Sequence, residues 1–489
     1  MKFRTTTSAK LSKFVALFST STLLLFSFQN CSGGFSAVNT SQAISNASVS
    51  GPSAGSTTGT TGGSTTGGNP TGNATYKRQW PDTTSGIHIF HDQVDLAAFD
   101  SAQIQFVATH YAGVQKVTAN DAAKLRSINP NFLILHYRLG YGLGYQTANS
   151  NCTPSGNYIS IIDGNNWVQE WPGNSVVQPQ WFFTYNGSSR VYFCNNGWYV
   201  MNISDPSYQT WWLNQVKSQL VANNDDGIFM DSFSIPNFFG STNYSPNLPA
   251  VDSTFEDQWA SWMQNWLVYL KANLPGYYLV PNVGSWITGR DHPDIITPAD
   301  GIMVEQFAMP NNTSFYAESD WQLEMNRILA VVARNQAVIG QTYVTTAKNR
   351  MFTVGSYLLI KGTRTYISIN NSMGNRVGVN GSTGPEWYPE YNIPIGAPTE
   401  NAGSSIQNLF DSTLGVYRRN FTNGFVLVNP STSTITVPLG GTYYLAQTSP
   451  DGLLTVDANG NESGTLTYSA VSSVTLTDHS AAVLFTALP

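Results

Sequence analysis

The stretch at residues 226–234, "DGIFMDSFS", decides the fold. Ile228, Phe229 and Met230 form a short apolar run of the kind that makes a buried strand, and Asp231 closes it with no basic neighbour in sequence. Burying an unpaired carboxylate costs several kcal/mol, so a strand that finishes on one needs a reason. Its neighbours along the chain supply it. From Tyr76 onward, short apolar runs alternate with helical patterns, the signature of βα units and a parallel sheet. Strands are expected at 86–91, 104–111, 132–138, 227–232, 277–283, 301–307, 337–343 and 365–370. Asp205 followed by Pro206 starts one helix, and an apolar stripe over 255–273 marks another. Eight strands with intervening helices fit a (β/α)8 TIM barrel. The rival, an open doubly wound sheet, lacks a glycine-rich fingerprint after its first strand.

A barrel of this kind gathers its chemistry where the strands end. His88 and His91 fall at the first such end, His110 and Tyr111 at the second, His136 and Arg138 at the third. Asp231, Asn282, and Glu305 with Gln306 follow on strands four to six, then Gln341, Tyr343 and Asn370. A polar ring at one mouth gives Asp231 partners and water. Asp231 and Glu305 are the candidate catalytic pair, because glycoside cleavage needs two acids flanking the scissile bond, one protonated and one ionised. Neighbouring strands lie ~4.8 Å apart, so acids two strands apart can face each other. Asp231 as a plain strand-end cap is the competing reading, and Asp300 and Glu318 are rivals for the place of Glu305. His110, Tyr111, His136, Arg138, Asn282, Trp286, Gln306 and Tyr343 are the candidate substrate-binding residues. The histidines make a poor metal set: His88 and His91, three apart, point to opposite faces of a strand. No metal or cofactor is expected.

Of the 489 residues, 41% are apolar and only 11% charged, with a net charge of −6. The absence of a basic cluster beyond the N-terminus argues against nucleic acid. Thirteen Trp and 24 Tyr are core packing on the plain reading and sugar-stacking surfaces on the sharper one. Lys2, Arg4, Lys10 and Lys13 precede the apolar run "FVALFSTSTLLLFSF", an export signal. Cys31 just beyond it resembles the lipidation site of a bacterial lipoprotein, although Gln29 and Asn30 replace the usual small residues. With Cys31 acylated, Cys152 and Cys194 remain as an expected disulfide, worth ~4 kcal/mol in loop entropy.

The expected organisation is a signal segment at 1–31, a flexible Ser/Thr/Gly linker at 32–75, the barrel at 76–399 with an insertion at about 142–204, and an antiparallel β-sandwich at 400–489. The strings "DGIFMDSF" (226–233), "YLLIKG" (357–362), "YNIPIGAP" (391–398) and "GVYRRNFTNGFVLVNPS" (415–431) resemble hypothetical glycosyl hydrolase family fifteen. The resemblance implies a barrel glycosidase. Barrels similar to the α-galactosidase clan carry the nucleophile on strand four and the acid/base on strand six, which would give those roles to Asp231 and Glu305. The clan has Asp at both places, and Glu305 departs from it. The expected partners are a carbohydrate substrate and, through a lipid anchor, a membrane at the bacterial cell envelope, with the chain a monomer. A glycan-binding lipoprotein without hydrolytic activity is the alternative, since it would use the same aromatics and neither acid.

Overall fold

The computed structural model describes residues 75–143, 178–185, 187, 189–194, 198–235, 244–245, 253–287, 292–371 and 384–489. The expected signal segment with Cys31, nearly all of the linker, and Cys152 lie outside the described residues. Eight parallel strands form the barrel: β1 Ile89–Gln93, β2 Tyr111–Lys116, β3 Leu133–Leu139, β4 Gly227–Asp231, β5 Tyr278–Pro281, β6 Gly301–Glu305, β7 Ala337–Thr342 and β8 Thr365–Ile369. Their spatial order is β5-β4-β3-β2-β1-β8-β7-β6. The ring closes between β5 and β6, where Val283 N donates to Met303 O and Glu305 N to Gly284 O, each at 3.0 Å.

Helices α1 Ser101–His110, α2 Ala119–Ile128, α3 Pro206–Asn223, α4 Ser253–Asn273, α5 Glu318–Ala333 and α6 Ala347–Leu359 pack outside. As expected, Asp205 caps α3, its side chain accepting from the Ser207 and Tyr208 amides at 2.8 and 3.0 Å. One expected strand is wrong. Residues 104–111 fold mostly as α1, because Asp100 and Gln103 make a reciprocal capping box that starts a helix there. The true β2 begins only at Tyr111.

Alternation along the strands sorts the barrel interior into layers. Phe90, Leu133, Leu135, Phe229, Val280, Met303 and Ile339 fill its lower and middle part. The foot is sealed by the segment that enters β1. Trp80 packs on Phe90, Tyr278 and Tyr366, and Tyr76 stacks on Tyr278 at 4.1 Å. Arg78 pairs with buried Asp226 at 2.8 Å, which Arg126 also holds at 2.6 Å. The excursion after β3 includes a small four-stranded antiparallel sheet of Gly142–Leu143, Tyr192–Phe193 and Trp198–Val200, joined from beyond β4 by Tyr244–Ser245. Cys194, buried, follows its second strand.

The C-terminal domain is a six-stranded antiparallel sheet: β9 Phe410–Asp411, β10 Val416–Phe421, β11 Gly424–Asn429, β12 Ile435–Ser449, β13 Thr465–Leu476 and β14 Ser480–Phe485, in the order β9-β10-β11-β14-β12-β13. The β12–β13 register breaks between Pro438 and Tyr443, where Gly440 takes φ +68°, and such a break bends a hairpin. Val437, Val474 and Leu476 of the bent hairpin share one core with Phe425, Leu427 and Leu484.

On the other face lies α6. A Cβ on Gly355 would meet Ala481 Cβ at 2.4 Å and Val428 Cγ2 at 3.1 Å, so only glycine lets the helix lie this close. Buried Arg419 of β10 caps the same helix. Its Nη1 donates to the carbonyls of Leu358, Leu359 and Lys361 at 3.1, 2.8 and 2.9 Å, at a helix end where carbonyls run short of donors, although Leu358 O also accepts from the Lys361 amide at 3.3 Å. The strings at 357–362 and 415–431 therefore meet at the junction of barrel and sheet. Arg419→Ala is expected to cost on the order of 3 kcal/mol, because it strands buried carbonyls without a donor; equilibrium urea unfolding measures it, and a loss below about 1 kcal/mol would mean that the junction is held elsewhere.

Candidate active site

Asp231 and Glu305 are the last residues of β4 and β6 and are buried, with 0% and 1% of their surface exposed. Between them, one residue past β5, stands Asn282. Its Nδ2 donates to Asp231 Oδ1 at 2.8 Å and to Glu305 Oε2 at 2.9 Å. The shared donor keeps these two oxygens within about 5.7 Å of each other, and an ideal trigonal amide giving one hydrogen to each would set them about 5 Å apart.

Each acid has further donors. Tyr137 OH reaches Asp231 Oδ2 at 2.7 Å, and Ser232 N reaches Oδ1 at 2.8 Å. Tyr343 OH donates to Glu305 Oε1 at 2.6 Å and itself accepts from Gln341 Nε2 at 2.7 Å. Gln341 Oε1 in turn accepts from Gln115 Nε2 at 3.0 Å. Lys116, the last residue of β2, brings a cation. Its Nζ lies 3.0 Å from Asp92 Oδ1 and 5.0 Å from the centroid of the Tyr137 ring.

The electrostatics separate the two acids. Burial, and then the charge of Asp231, push the Glu305 carboxyl up to about 7. Burial also raises Asp231, and Lys116 with the hydrogen bonds from Tyr137, Asn282 and the Ser232 amide only partly offsets it, so its carboxyl stays above the usual range. Of the two, Glu305 is the one favoured to hold a proton, because the charge of Asp231 adds to its burial. A protonated acid facing an ionised one at about 5 Å can donate a proton on one side of a bond and attack from the other.

The remaining candidates divide. Trp286 and Gln306, in the turns after β5 and β6, stand on the mouth face in left-handed conformations with φ +58° and +65°. Arg327 Nη1 holds the Trp286 carbonyl, and Tyr316 OH the Gln306 carbonyl at 3.0 Å. Four candidates need correction. His110 ends α1, with its ring stacked on Phe106 at 3.8 Å. Tyr111 begins β2 at the foot end and packs in the outer core, donating to Glu386 O at 2.7 Å. His136 and Arg138 lie on the face of β3 turned toward the helices, both contacting Gln219 of α3. His136 also sits 3.3 Å from Asp225.

Tyr137, between those two, is the β3 residue that reaches Asp231, and alternation from buried Leu133 and Leu135 could have found it. Lys116 and Asp92 went unnoticed because β2 and β1 run past their expected ends.

Solved structures resemble this chain at very low identity. An α-amylase from Geobacillus thermoleovorans shares 10% identity over 83% of this chain and 99% of its own, with a TM-score of 0.36. An α-amylase from Malbranchea cinnamomea shares 10% over 82% and 96%, at 0.35. A maltogenic α-amylase from Thermotoga neapolitana shares 8% over 83% and 89%, at 0.31. No curated protein matches. A family match runs from residue 126 to residue 425, taking in β3 to β8 with both acids as well as the Arg419 junction, and by it the chain belongs to hypothetical glycosyl hydrolase family 15.

Proposed function

We propose that the protein is an exported, lipid-anchored glycoside hydrolase acting on a poly- or oligosaccharide at the bacterial cell envelope, with Asp231 as nucleophile and Glu305 as acid/base. The observation that carries this reading is the Asn282 amide bonded to both carboxylates. The spacing of about 5 Å falls within the about 5–5.5 Å of glycosidases that retain anomeric configuration, and below the about 6.5–9.5 Å of those that invert it. Asp231 attacks the anomeric carbon while Glu305 protonates the leaving oxygen, giving a glycosyl ester on Asp231 and a carboxylate on Glu305. That carboxylate takes a proton from water, the resulting oxygen attacks the anomeric carbon, and the Asp231–carbon bond breaks. Family membership supports the general class. The basic, apolar N-terminus ending at Cys31 supports export and anchoring.

Two expectations test this. Glu305→Gln should lower kcat roughly 10²–10⁴-fold on substrates with poor leaving groups and much less on dinitrophenyl glycosides, which need no proton. Asp231→Asn should be inactive on both. Either variant retaining wild-type turnover on a natural glycan assigns the chemistry elsewhere.

The second concerns pH. Glu305 must be protonated, so activity should fall as pH rises through about 7. The Tyr343 hydroxyl stabilises the ionised form of Glu305. Its removal in Tyr343→Phe raises that carboxyl further and should move the alkaline limb of kcat/KM upward. A limb that stays in place or moves down contradicts the assignment of Glu305 as the proton donor.

A further inference from the structure

The two acids and Asn282 occupy one arc of the mouth, on β4, β5 and β6. The arc formed by β8, β1 and β2 carries buried polar groups that the chemistry above uses only through the charge of Lys116. Asp92 and Lys116 are 4% and 6% exposed, and Asn370, one residue past β8, is 2% exposed. These strands are neighbours, with Ile89 beside Ile367 on one side and Gln93 beside Lys116 on the other. The three side chains therefore share the upper end of the barrel.

Their hydrogen bonding is incomplete. Asn370 Oδ1 accepts from the Ser368 hydroxyl at 3.3 Å, but its Nδ2 is buried without a partner among the described residues. Gln115 Oε1, on β2, is in the same state. Buried donors and acceptors left unpaired are rare and costly, and a ligand that supplies both roles relieves them. A sugar hydroxyl does so, since it donates and accepts at once. Asp92 offers acceptors while Lys116 and Asn370 offer donors, the alternation that neighbouring hydroxyls on a ring require.

Charge narrows the ligand. The positive charge of Lys116 is already matched by Asp92 at 3.0 Å, and an ionised Asp231 lies beyond Tyr137. Among the described residues the site offers no unmatched cation to a uronate, and the charge of Asp231 would repel one.

We infer that Asp92, Lys116 and Asn370 recognise the hydroxyls of a neutral sugar ring held with its anomeric carbon between Asp231 and Glu305, and that anionic sugars are excluded. The placement of the anomeric carbon rests on the hydrolase reading; the recognition of the ring does not.

Calorimetric titration of the intact protein with glucose, galactose, mannose, xylose and arabinose, and with glucuronate and galacturonate, tests it. At least one neutral sugar should bind, with the uronates weaker by about tenfold or more. Asn370→Ala removes an amide that, among the described residues, bonds only the nearby Ser368, so melting should stay close to wild type while binding weakens about tenfold. Asp92→Asn should weaken it further. Asp231→Asn should still bind. Uronates binding as well as neutral sugars, both variants binding like wild type, or no neutral sugar binding at all would each overturn the inference. Turnover of neutral aryl glycosides by the same samples separates the two readings. Variant-sensitive binding without turnover removes the hydrolase and keeps the sugar site. Turnover untouched by both variants does the reverse.

Discussion

A primary amide has two hydrogens to give, and in this protein Asn282 gives both to carboxylates. Two like charges at about 5 Å in a dry environment repel strongly, so they coexist only if something donates to both and one keeps its proton. The backbone of Asn282 takes part in the same construction. Its amide bonds Met230 O on β4, and it bridges to Met303 on β6. One residue thus helps to close the barrel and sets the distance across which the acids act. The answer to why a strand should end on an acid lies here, because Asp231 is buried with a donor on every available oxygen.

Below that layer the barrel interior is apolar, and at it the buried polar side chains gather. The change of character within two residues of each strand concentrates electrostatic force at one level of the molecule. Lys116 and Asp92 belong to this level, as do the tyrosines at 137 and 343. The rest of the fold holds the level rigid. The Arg419 contacts bind the last barrel helix to the C-terminal sheet, and the glycine at 355 lets the two lie in direct contact, so β7 and β8 are braced from outside.

Much of this was legible in the sequence because burial and acidity rarely coincide. Runs such as "GIFMD" and "GIMVE" place an acid after a glycine and three apolar residues, and a parallel barrel accounts for both. Asn282 and Tyr343 followed from the same rule of strand ends. The rule failed where helix and strand patterns overlap. Ile104, Phe106 and Val107 suit a strand nearly as well as a helix stripe, and only the local capping by Asp100 and Gln103 settles the matter. That single element carried His110 and Tyr111 into the wrong place and hid Lys116. On β3 the failure was one of facing: His136 and Arg138 sit at the correct height but on the side that alternation gives to the helices.

The segment at the foot has a directional consequence. Tyr76, Arg78 and Trp80 are fastened beneath the barrel through Tyr278, Asp226 and Tyr366. The first described residue, Thr75, therefore lies beside Gly276 at the end opposite the acids. An attachment made on that side leaves the opening at the far end of the barrel, where a long polymer can approach it clear of the point of attachment.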